Sequence, residues 1–216
     1  MRRIMRRFTL TMLLLLALVP GSWAKDVPLQ NRIAELEARI GAYVPDPQYR
    51  DDVFGLIVVK EAITSLKAGS GGIGACLVDA ATGEVVERGR NRQYDPYFRS
   101  DLHAEMDLLN RYEDRLRKQG GGNSVNDPRR CDNLVLFTST EPCPMCLTRI
   151  INSGIQRMYY LNPDPHGGMV ARQEQLPPFW RDFAAGRDFR QAECSPELLK
   201  IAADLFHHSM RNFTKK

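Results

Sequence analysis

The chain has 216 residues, enough for one domain with a sizeable core, and carries 30 basic and 26 acidic side chains for a net charge of +4. The whole surplus lies in residues 1–24, which hold four arginines and no acid, so the remainder has 26 basic and 26 acidic side chains. This balance excludes nucleic-acid binding that is driven by a net positive charge. Binding through a local basic patch is still possible. It favours a small neutral ligand.

The N-terminus is typical of an export signal. Arginines precede an apolar stretch over residues 10–19, and Ser22-Trp23-Ala24 places small residues at the third and first positions before Lys25. These features predict a signal peptide over residues 1–24 and an exported, periplasmic or secreted protein. The stretch is short for a bilayer, so we expect no stable membrane insertion after cleavage, with an uncleaved anchor as the alternative. Arg6-Arg7 fits either an ordinary basic head or a twin-arginine signal.

The rest of the chain alternates helices and strands. Residues 25–48 are predicted to form an N-terminal segment with a short helix over 30–40, and residues 49–216 the main domain. In chain order the main domain has a helix (51–67), a strand hairpin (73–79 and 84–90), a helix (103–118), a glycine-rich loop (120–124), a strand (134–138), a helix (143–152), two strands (156–161 and 188–191) and a helix from Ser195. This order indicates an α/β fold with a mixed five-stranded sheet covered on both faces.

Five cysteines follow the leader, and an odd number in an exported protein argues against a pure disulfide framework. Cys76 lies in an apolar strand-like run and is predicted to belong to the core. The sequence leaves open whether Cys131 and Cys194 pair, because a disulfide needs their Cα atoms within about 7 Å of each other.

Two short motifs carry the chemistry: His103-Ala104-Glu105 and Pro142-Cys143-Pro144-Met145-Cys146. Imidazole nitrogen and thiolate sulfur bind Zn²⁺, and a catalytic zinc keeps its fourth position open for water. Cys143 and Cys146 share a helix face, and a helix N-terminus favours their thiolates. His103 at a second helix start would complete three ligands. Glu105 remains as a carboxylate that is not a ligand, which is the pattern of zinc deaminases.

The predicted reaction is a hydrolytic deamination. Bound zinc lowers the pKa of a water toward ~7. Glu105 takes the proton as the oxygen attacks an amidine-type carbon, then returns it to the ring nitrogen and the leaving amine. A structural zinc site would need a fourth protein ligand, and the other histidines are His166, His207 and His208. A redox Cys-x-x-Cys pair would not need the upstream His-x-Glu.

The chain resembles the cytidine/deoxycytidylate deaminase superfamily, and within it the branch of guanine deaminases and tRNA adenosine deaminases, over roughly residues 51–213. The segments that carry the resemblance are 74–78, 89–92, 103–105, 138–146, 154–160 and the final helix. The resemblance implies a three-layer α/β/α cytidine-deaminase-like fold and a homodimer. It also implies His103, Cys143 and Cys146 as zinc ligands, and Glu105 as the proton shuttle. Substrate contacts are implied for the following: the Asn91 side chain and the backbone at Ala104 and Pro142.

We therefore expect a zinc-dependent deaminase of a free nucleobase or nucleoside. A deaminase acting on nucleic acid and a non-catalytic zinc module are the alternatives. The resemblance also places His166 where the family often lines its pocket. For both Asn91 and His166 the alternative is a turn residue without a substrate role. The family often has Asp-Pro two residues before His-Ala-Glu, whereas here Asp95-Pro96 is followed by six further residues that include Tyr97 and Phe98. We expect this longer aromatic loop at the mouth of the pocket.

Overall fold

The fold is built on a mixed five-stranded sheet in a computed structural model that describes residues 29–119 and 131–213. The helices are α1 (Leu29–Ala42), α2 (Asp52–Lys67), α3 (Ala104–Lys118), α4 (Pro144–Asn152), α5 (Pro178–Ala184) and α6 (Pro196–Phe213). The strands are β1 (Gly74–Asp79), β2 (Val85–Arg90), β3 (Leu134–Thr140), β4 (Arg157–Asn162) and β5 (Asp188–Gln191). The predicted signal peptide over 1–24 and the loop over 120–124 lie outside the described residues.

The strand order is β2-β1-β3-β4-β5. β1 pairs antiparallel with β2 and β3, whereas β3 pairs parallel with β4 and β4 with β5. Because β3 and β4 are parallel, their carboxyl ends meet at one edge of the sheet, where Thr140 pairs with Asn162. The chain segments that leave these two strands are therefore neighbours.

Helices cover both faces of the sheet, as predicted. Side chains alternate between faces along a strand. In β3, Phe137 packs with α1, α2 and α6, and Leu136 packs with α3, α4 and α5. Both cores contain fully buried residues, such as Leu198 in the first and Leu147 in the second. The predicted three-layer α/β/α fold is confirmed.

Two elements between β4 and β5 were not predicted. A 3₁₀ helix spans Val170–Gln175, and α5 follows at Pro178–Ala184. Both are too short to show the periodic apolar face by which longer helices are recognised. In α5, the apolar Phe179 is moreover 67% exposed rather than buried. β3 also runs to Thr140 rather than ending at residue 138, because pairing with β4 continues to Asn162.

The cysteines outside the two motifs belong to the core. Cys76 has no exposed surface, as predicted. Cys131 and Cys194 lie in hydrophobic clusters on opposite faces of the sheet and do not form a disulfide with each other. Within residues 29–119 and 131–213, no helix combines the length and apolar character needed to cross a bilayer.

A buried carboxylate joins the start of α2 to the start of α6. Asp52 has no exposed surface, and its oxygens accept hydrogen bonds from the backbone N–H groups of Asp46 and Ser195, each at 2.8 Å, and from the Tyr43 hydroxyl. Burial and the neighbouring Asp52 raise the pKa of Tyr43 to about 12. Ser195 in turn accepts the N–H of Leu198 at 3.2 Å, which confirms it as the predicted cap of α6.

We expect Asp52→Ala to lower the free energy of unfolding by at least about 2 kcal/mol, because buried donors lose a charged acceptor. Urea unfolding with an unchanged m value measures this loss. Asp182→Ala is the control: its carboxylate is 73% exposed and lies 3.5 Å from the Arg181 guanidinium, so the expected change is below about 0.5 kcal/mol. Equal effects of the two substitutions would contradict the role of Asp52.

Candidate active site

Two helix N-termini carry the metal-ligand residues. His103 immediately precedes α3 and Cys143 immediately precedes α4, both with extended backbone. Pro144 occupies the first position of α4, where its missing N–H costs no helical hydrogen bond. Cys146 lies one turn further along α4 and has no exposed surface. The local sequence thus turns all three side chains toward one place.

The three side chains form a metal-binding geometry. The candidate ligand atoms of His103, Cys143 and Cys146 all lie within 4.8 Å of one another. Cys143 Sγ is 3.7 Å from His103 Nδ1. Tetrahedral zinc with Zn–S of about 2.3 Å and Zn–N of about 2.0–2.1 Å requires a separation of about 3.6 Å. Among the side chains that the structure describes, this group has no fourth protein ligand, which fits a zinc site with an open position.

The charges of the two thiols also fit a cation. A hydrogen bond with Cys146 lowers the pKa of Cys143 to about 4, with a further contribution from His103. The same contact, together with burial, raises the pKa of Cys146 well above its usual value. Without a cation, the two thiols therefore oppose each other's ionisation. A dication between them removes this conflict, because a coordinating thiol is deprotonated outright.

Glu105 lies beside this group as a buried carboxyl. It is 3% exposed, and the Thr138 hydroxyl donates to Glu105 Oε1 at 3.3 Å. Burial, and then the negative charge of Cys143, raise the pKa of Glu105. Helical residues two apart normally point in different directions, but His103 precedes the helix, so both side chains reach one pocket. The structure brings together the four side chains that the sequence assigned to the reaction.

A cavity of about 320 Å³ opens onto His103, Glu105 and Cys143. This volume is at the lower end of the range for small-molecule sites. The lining also includes residues from the segments after α2, β2 and β4, from the end of β3 and from α6: Gly71, Ile73, Asn91, Gln93, Tyr94, Thr140, Glu141, Asp164, Phe206 and Ser209.

Asn91 lines the cavity and also organises the turn that follows β2. It is 2% exposed, and its Oδ1 accepts from the Ser70 hydroxyl at 2.7 Å and from the backbone N–H groups of Gln93 and Gly71 at 3.0 and 3.3 Å. Nδ2 donates to Gln93 Oε1 at 3.2 Å. The amide therefore has one N–H left for a ligand, so Asn91 can only donate to a substrate acceptor.

The backbone positions predicted to meet the substrate lie at the same helix starts. Ala104, the first residue of α3, is fully buried. The Pro142 carbonyl accepts the Met169 N–H at 2.9 Å and retains its second lone pair. His166 is exposed and is not part of the cavity lining, whereas its neighbour Asp164 is. The structure therefore supports a surface turn for His166.

Glu141 is a site residue that the sequence reasoning missed. It is 5% exposed, and its carboxylate accepts the backbone N–H groups of Asp164 at 3.0 Å and Ala171 at 2.8 Å. It thereby fixes the segment after β4 against the end of β3. Its only sequence signal was its place directly before Pro142 in the motif. Phe206 and Ser209 were also missed, because they reach the cavity from a helix far along the chain.

The aromatic loop after β2 lies at the cavity, as expected. Tyr94 lines the cavity, and its ring centroid is 5.4 Å from that of Phe98. Tyr97 and Phe98 are each 64% exposed.

The close contact of β2 with α3 positions the first turn of α3. A Cβ atom at Gly89 would lie 2.6 Å from Leu108 N and 2.7 Å from the Ala104 carbonyl oxygen. We expect Gly89→Ala to lower the free energy of unfolding by about 1–3 kcal/mol and to weaken zinc binding, because it displaces the turn that carries Glu105. Urea unfolding and zinc titration measure the two effects.

Gly41→Ala is the control for this substitution, because a Cβ atom at Gly41 would meet no atom within 4 Å. It should leave stability unchanged or raise it slightly. Full zinc affinity and wild-type stability in Gly89→Ala would show that the contact between β2 and α3 does not constrain the site.

Comparison with known proteins places this site in a family. Residues 49–162, just over half of the chain, match the family model for the cytidine and deoxycytidylate deaminase zinc-binding region. A tRNA-specific adenosine deaminase from Bacillus subtilis (strain 168) is 30% identical over 119 residues, which cover 55% of this chain and 66% of the relative, just under two thirds of it.

Two solved structures share the fold. A guanine deaminase from Nitrosomonas europaea has a TM-score of 0.55 at 19% identity, covering 80% of this chain and 91% of that chain. A solved complex with 2,6-diaminopurine has a TM-score of 0.54 at 21% identity, covering 84% of this chain and 85% of that chain. The matched region contains the His103, Cys143 and Cys146 group. The chain is thus a zinc-binding member of the cytidine and deoxycytidylate deaminase family.

Proposed function

We propose that the protein is a zinc-dependent hydrolytic deaminase that converts an amino group of a free nucleobase or nucleoside to an oxo group and releases ammonia. One observation carries this proposal: the buried carboxyl of Glu105 shares a cavity of about 320 Å³ with the His103 and Cys143 side chains of the metal-binding group. A purely structural zinc site needs neither the cavity nor the carboxyl.

The residues of the site have two separate roles, metal binding and proton transfer. His103, Cys143 and Cys146 would hold the zinc, which when bound makes water a nucleophile near neutral pH. Glu105 accepts one proton of the attacking water and gives it to the ring nitrogen, then takes the second proton from the newly added hydroxyl and gives it to the leaving amine. The new C–O bond replaces the C–N bond, and the nitrogen leaves as ammonia. Glu105 suits this role by position, because its buried carboxyl shares the cavity with His103 and Cys143.

Charge and cavity size support a small substrate. Beyond residue 24 the chain has equal numbers of basic and acidic side chains, so overall charge supplies no attraction for a polynucleotide. The remaining Asn91 N–H favours a base that offers an acceptor on its edge.

A second candidate is deamination of a base within RNA. The tRNA-specific adenosine deaminase relative raises it, and the exposed ring of Phe98, which packs against the cavity-lining Tyr94, would stack on a neighbouring base.

An ammonia-release screen separates these functions. Zinc-loaded protein is assayed with cytosine, guanine, adenine, their nucleosides and a tRNA, each at low and high salt. The proposal predicts ammonia from a free base or nucleoside with weak salt dependence. Ammonia from tRNA alone, with a rate that falls steeply as salt rises, would establish the second candidate. Ammonia from none of them would leave a non-catalytic zinc module.

We also propose that residues 1–24 direct export and that the chain forms a homodimer. The basic, apolar and small-residue sequence of the leader supports export, and the family resemblance supports the dimer. In an oxidising compartment Cys143 and Cys146 would be prone to form a disulfide, so zinc loading should precede exposure to it. N-terminal sequencing of the exported protein and light scattering test the two proposals.

A further inference from the structure

We infer that the Thr140 hydroxyl is a substrate-contacting group of this site, which hydrogen-bonds a polar edge of the bound base and so contributes to base specificity. This inference rests on the proposed function and deepens it. Thr140 is the last residue of β3 and lines the cavity beside the metal-binding group.

The first observation is a buried hydroxyl that the protein does not satisfy. Thr140 is 3% exposed, and its Oγ1 has no hydrogen-bond partner among the residues that the structure describes. Buried polar groups are nearly always paired, and leaving one unpaired costs stability. A threonine at this position is therefore unfavourable for the fold alone, and a ligand in the cavity would satisfy it.

The second observation is the face of the sheet on which Thr140 lies. Residues two apart on a strand share a face. Thr138, two residues before Thr140, donates its hydroxyl to Glu105. Thr140 therefore extends from the same face of β3 as the contact that holds the proton-transferring carboxyl.

The third observation is the position of Thr140 in the sheet. It lies at the carboxyl end of β3 and pairs with Asn162 at the carboxyl end of the parallel strand β4. The side-chain Nδ2 of Asn162 is likewise buried and has no partner in the described part of the chain. In open α/β sheets, ligands bind in the crevice beyond the carboxyl ends of such strands.

The hydroxyl restricts the chemistry of the substrate. It can both donate one hydrogen bond and accept hydrogen bonds, whereas Asn91 offers only an N–H. The base should therefore present a ring nitrogen or an exocyclic oxygen or amino group to Thr140, rather than a C–H or a methyl group. Replacing that ring atom by C–H should weaken binding in the wild type and leave binding unaffected once the hydroxyl is absent.

The test measures base binding in a catalytically inactive variant, so that the base is not converted during the titration. Zinc-loaded Glu105→Gln is titrated with adenine, guanine and cytosine, with and without Thr140→Val. We expect the tightest-binding base to bind about 3- to 10-fold more weakly to the Thr140→Val protein, with affinity restored by Thr140→Ser. The midpoint of thermal unfolding without ligand should stay unchanged or rise, because the substitution removes an unpaired buried hydroxyl.

Thr64→Val is the matched control. Thr64 is exposed on α2, its hydroxyl donates to the Lys60 carbonyl, and it is not part of the cavity lining. It should leave base affinity unchanged. Unchanged affinity in Thr140→Val, or a lowered unfolding midpoint that Thr140→Ser restores without a change in affinity, would overturn the assignment and make the hydroxyl structural. Failure of the proposed function is distinguishable, because it appears as absence of ammonia release in the wild type before any substitution at Thr140.

Discussion

Replacing Glu105 with glutamine is expected to lower the rate of ammonia release by about 10²–10⁴-fold while the zinc content stays at the wild-type level. Glutamine has nearly the same shape and can still accept the Thr138 hydrogen bond at its carbonyl oxygen, so the fold and the metal-binding group persist. It cannot take the proton of the attacking water or return it to the amine. A coupled ammonia assay and metal analysis of the same sample measure both quantities.

Glu113→Gln is the control for this prediction. Glu113 lies on the same helix, α3, but its carboxylate is 44% exposed and pairs with the Arg149 guanidinium at 2.6 Å outside the cavity lining. The same change of charge there should leave activity near wild type. Loss of zinc in Glu105→Gln would contradict the role of Glu105 as a proton carrier and would make it a structural support of the metal site.

Replacing Cys143 with alanine is expected to remove zinc and abolish ammonia release. Loss of an outer-shell partner typically weakens metal binding about 10–100-fold, and loss of a direct ligand should exceed this. Only His103 and Cys146 would remain of the group, and two protein ligands are one fewer than a catalytic zinc site uses. Zinc content after dialysis, with circular dichroism to confirm the fold, measures the effect.

Cys76→Ala is the matched control, because it removes a thiol that is buried in the core on the α2 and α6 side of the sheet. It should cost some stability but retain the wild-type zinc content. Wild-type zinc content in Cys143→Ala would show that the metal is bound elsewhere, and the assignment of the ligands would fail.

The metal-binding group could be predicted because its geometry is largely local. Cys143 and Cys146 are one helical turn apart, and Pro144 marks the start of that turn. His103 and Glu105 could be placed on one pocket from the sequence only because a helix start lies between them. These relations follow from backbone geometry within a few residues. That the two motifs meet, although they are forty residues apart, was predicted from the zinc deaminase pattern that they match together.

The rest of the cavity could not be predicted, because its contacts use groups that every residue carries. Glu141 accepts backbone N–H groups of Asp164 and Ala171, and backbone N–H groups leave no trace in a sequence. Phe206 is an apolar residue of α6, and nothing in its place in the sequence shows that it reaches the cavity. The absence of a partner for Thr140 is also visible only when the packing around it is known.

The overall sheet was predictable for a different reason. Hairpin spacing and the alternation of helices with strands restrict the topology, so five strands and two covered faces followed from pattern alone. α5 and the preceding 3₁₀ helix were not predicted, because a helix of one or two turns has too few positions to show a period of apolar residues. The separation of Cys131 from Cys194 likewise required the sheet between them.

The central claim is that Glu105 and the metal-binding group hydrolyse a C–N bond of a free base or nucleoside. The most direct measurement is mass spectrometry of the products that zinc-loaded protein forms from the substrate found in the ammonia screen, in water labelled with heavy oxygen. The account predicts one labelled oxygen in each oxo product, equimolar ammonia, and neither product with Glu105→Gln. Unlabelled product, ammonia without an oxo product, or full activity in Glu105→Gln would contradict it.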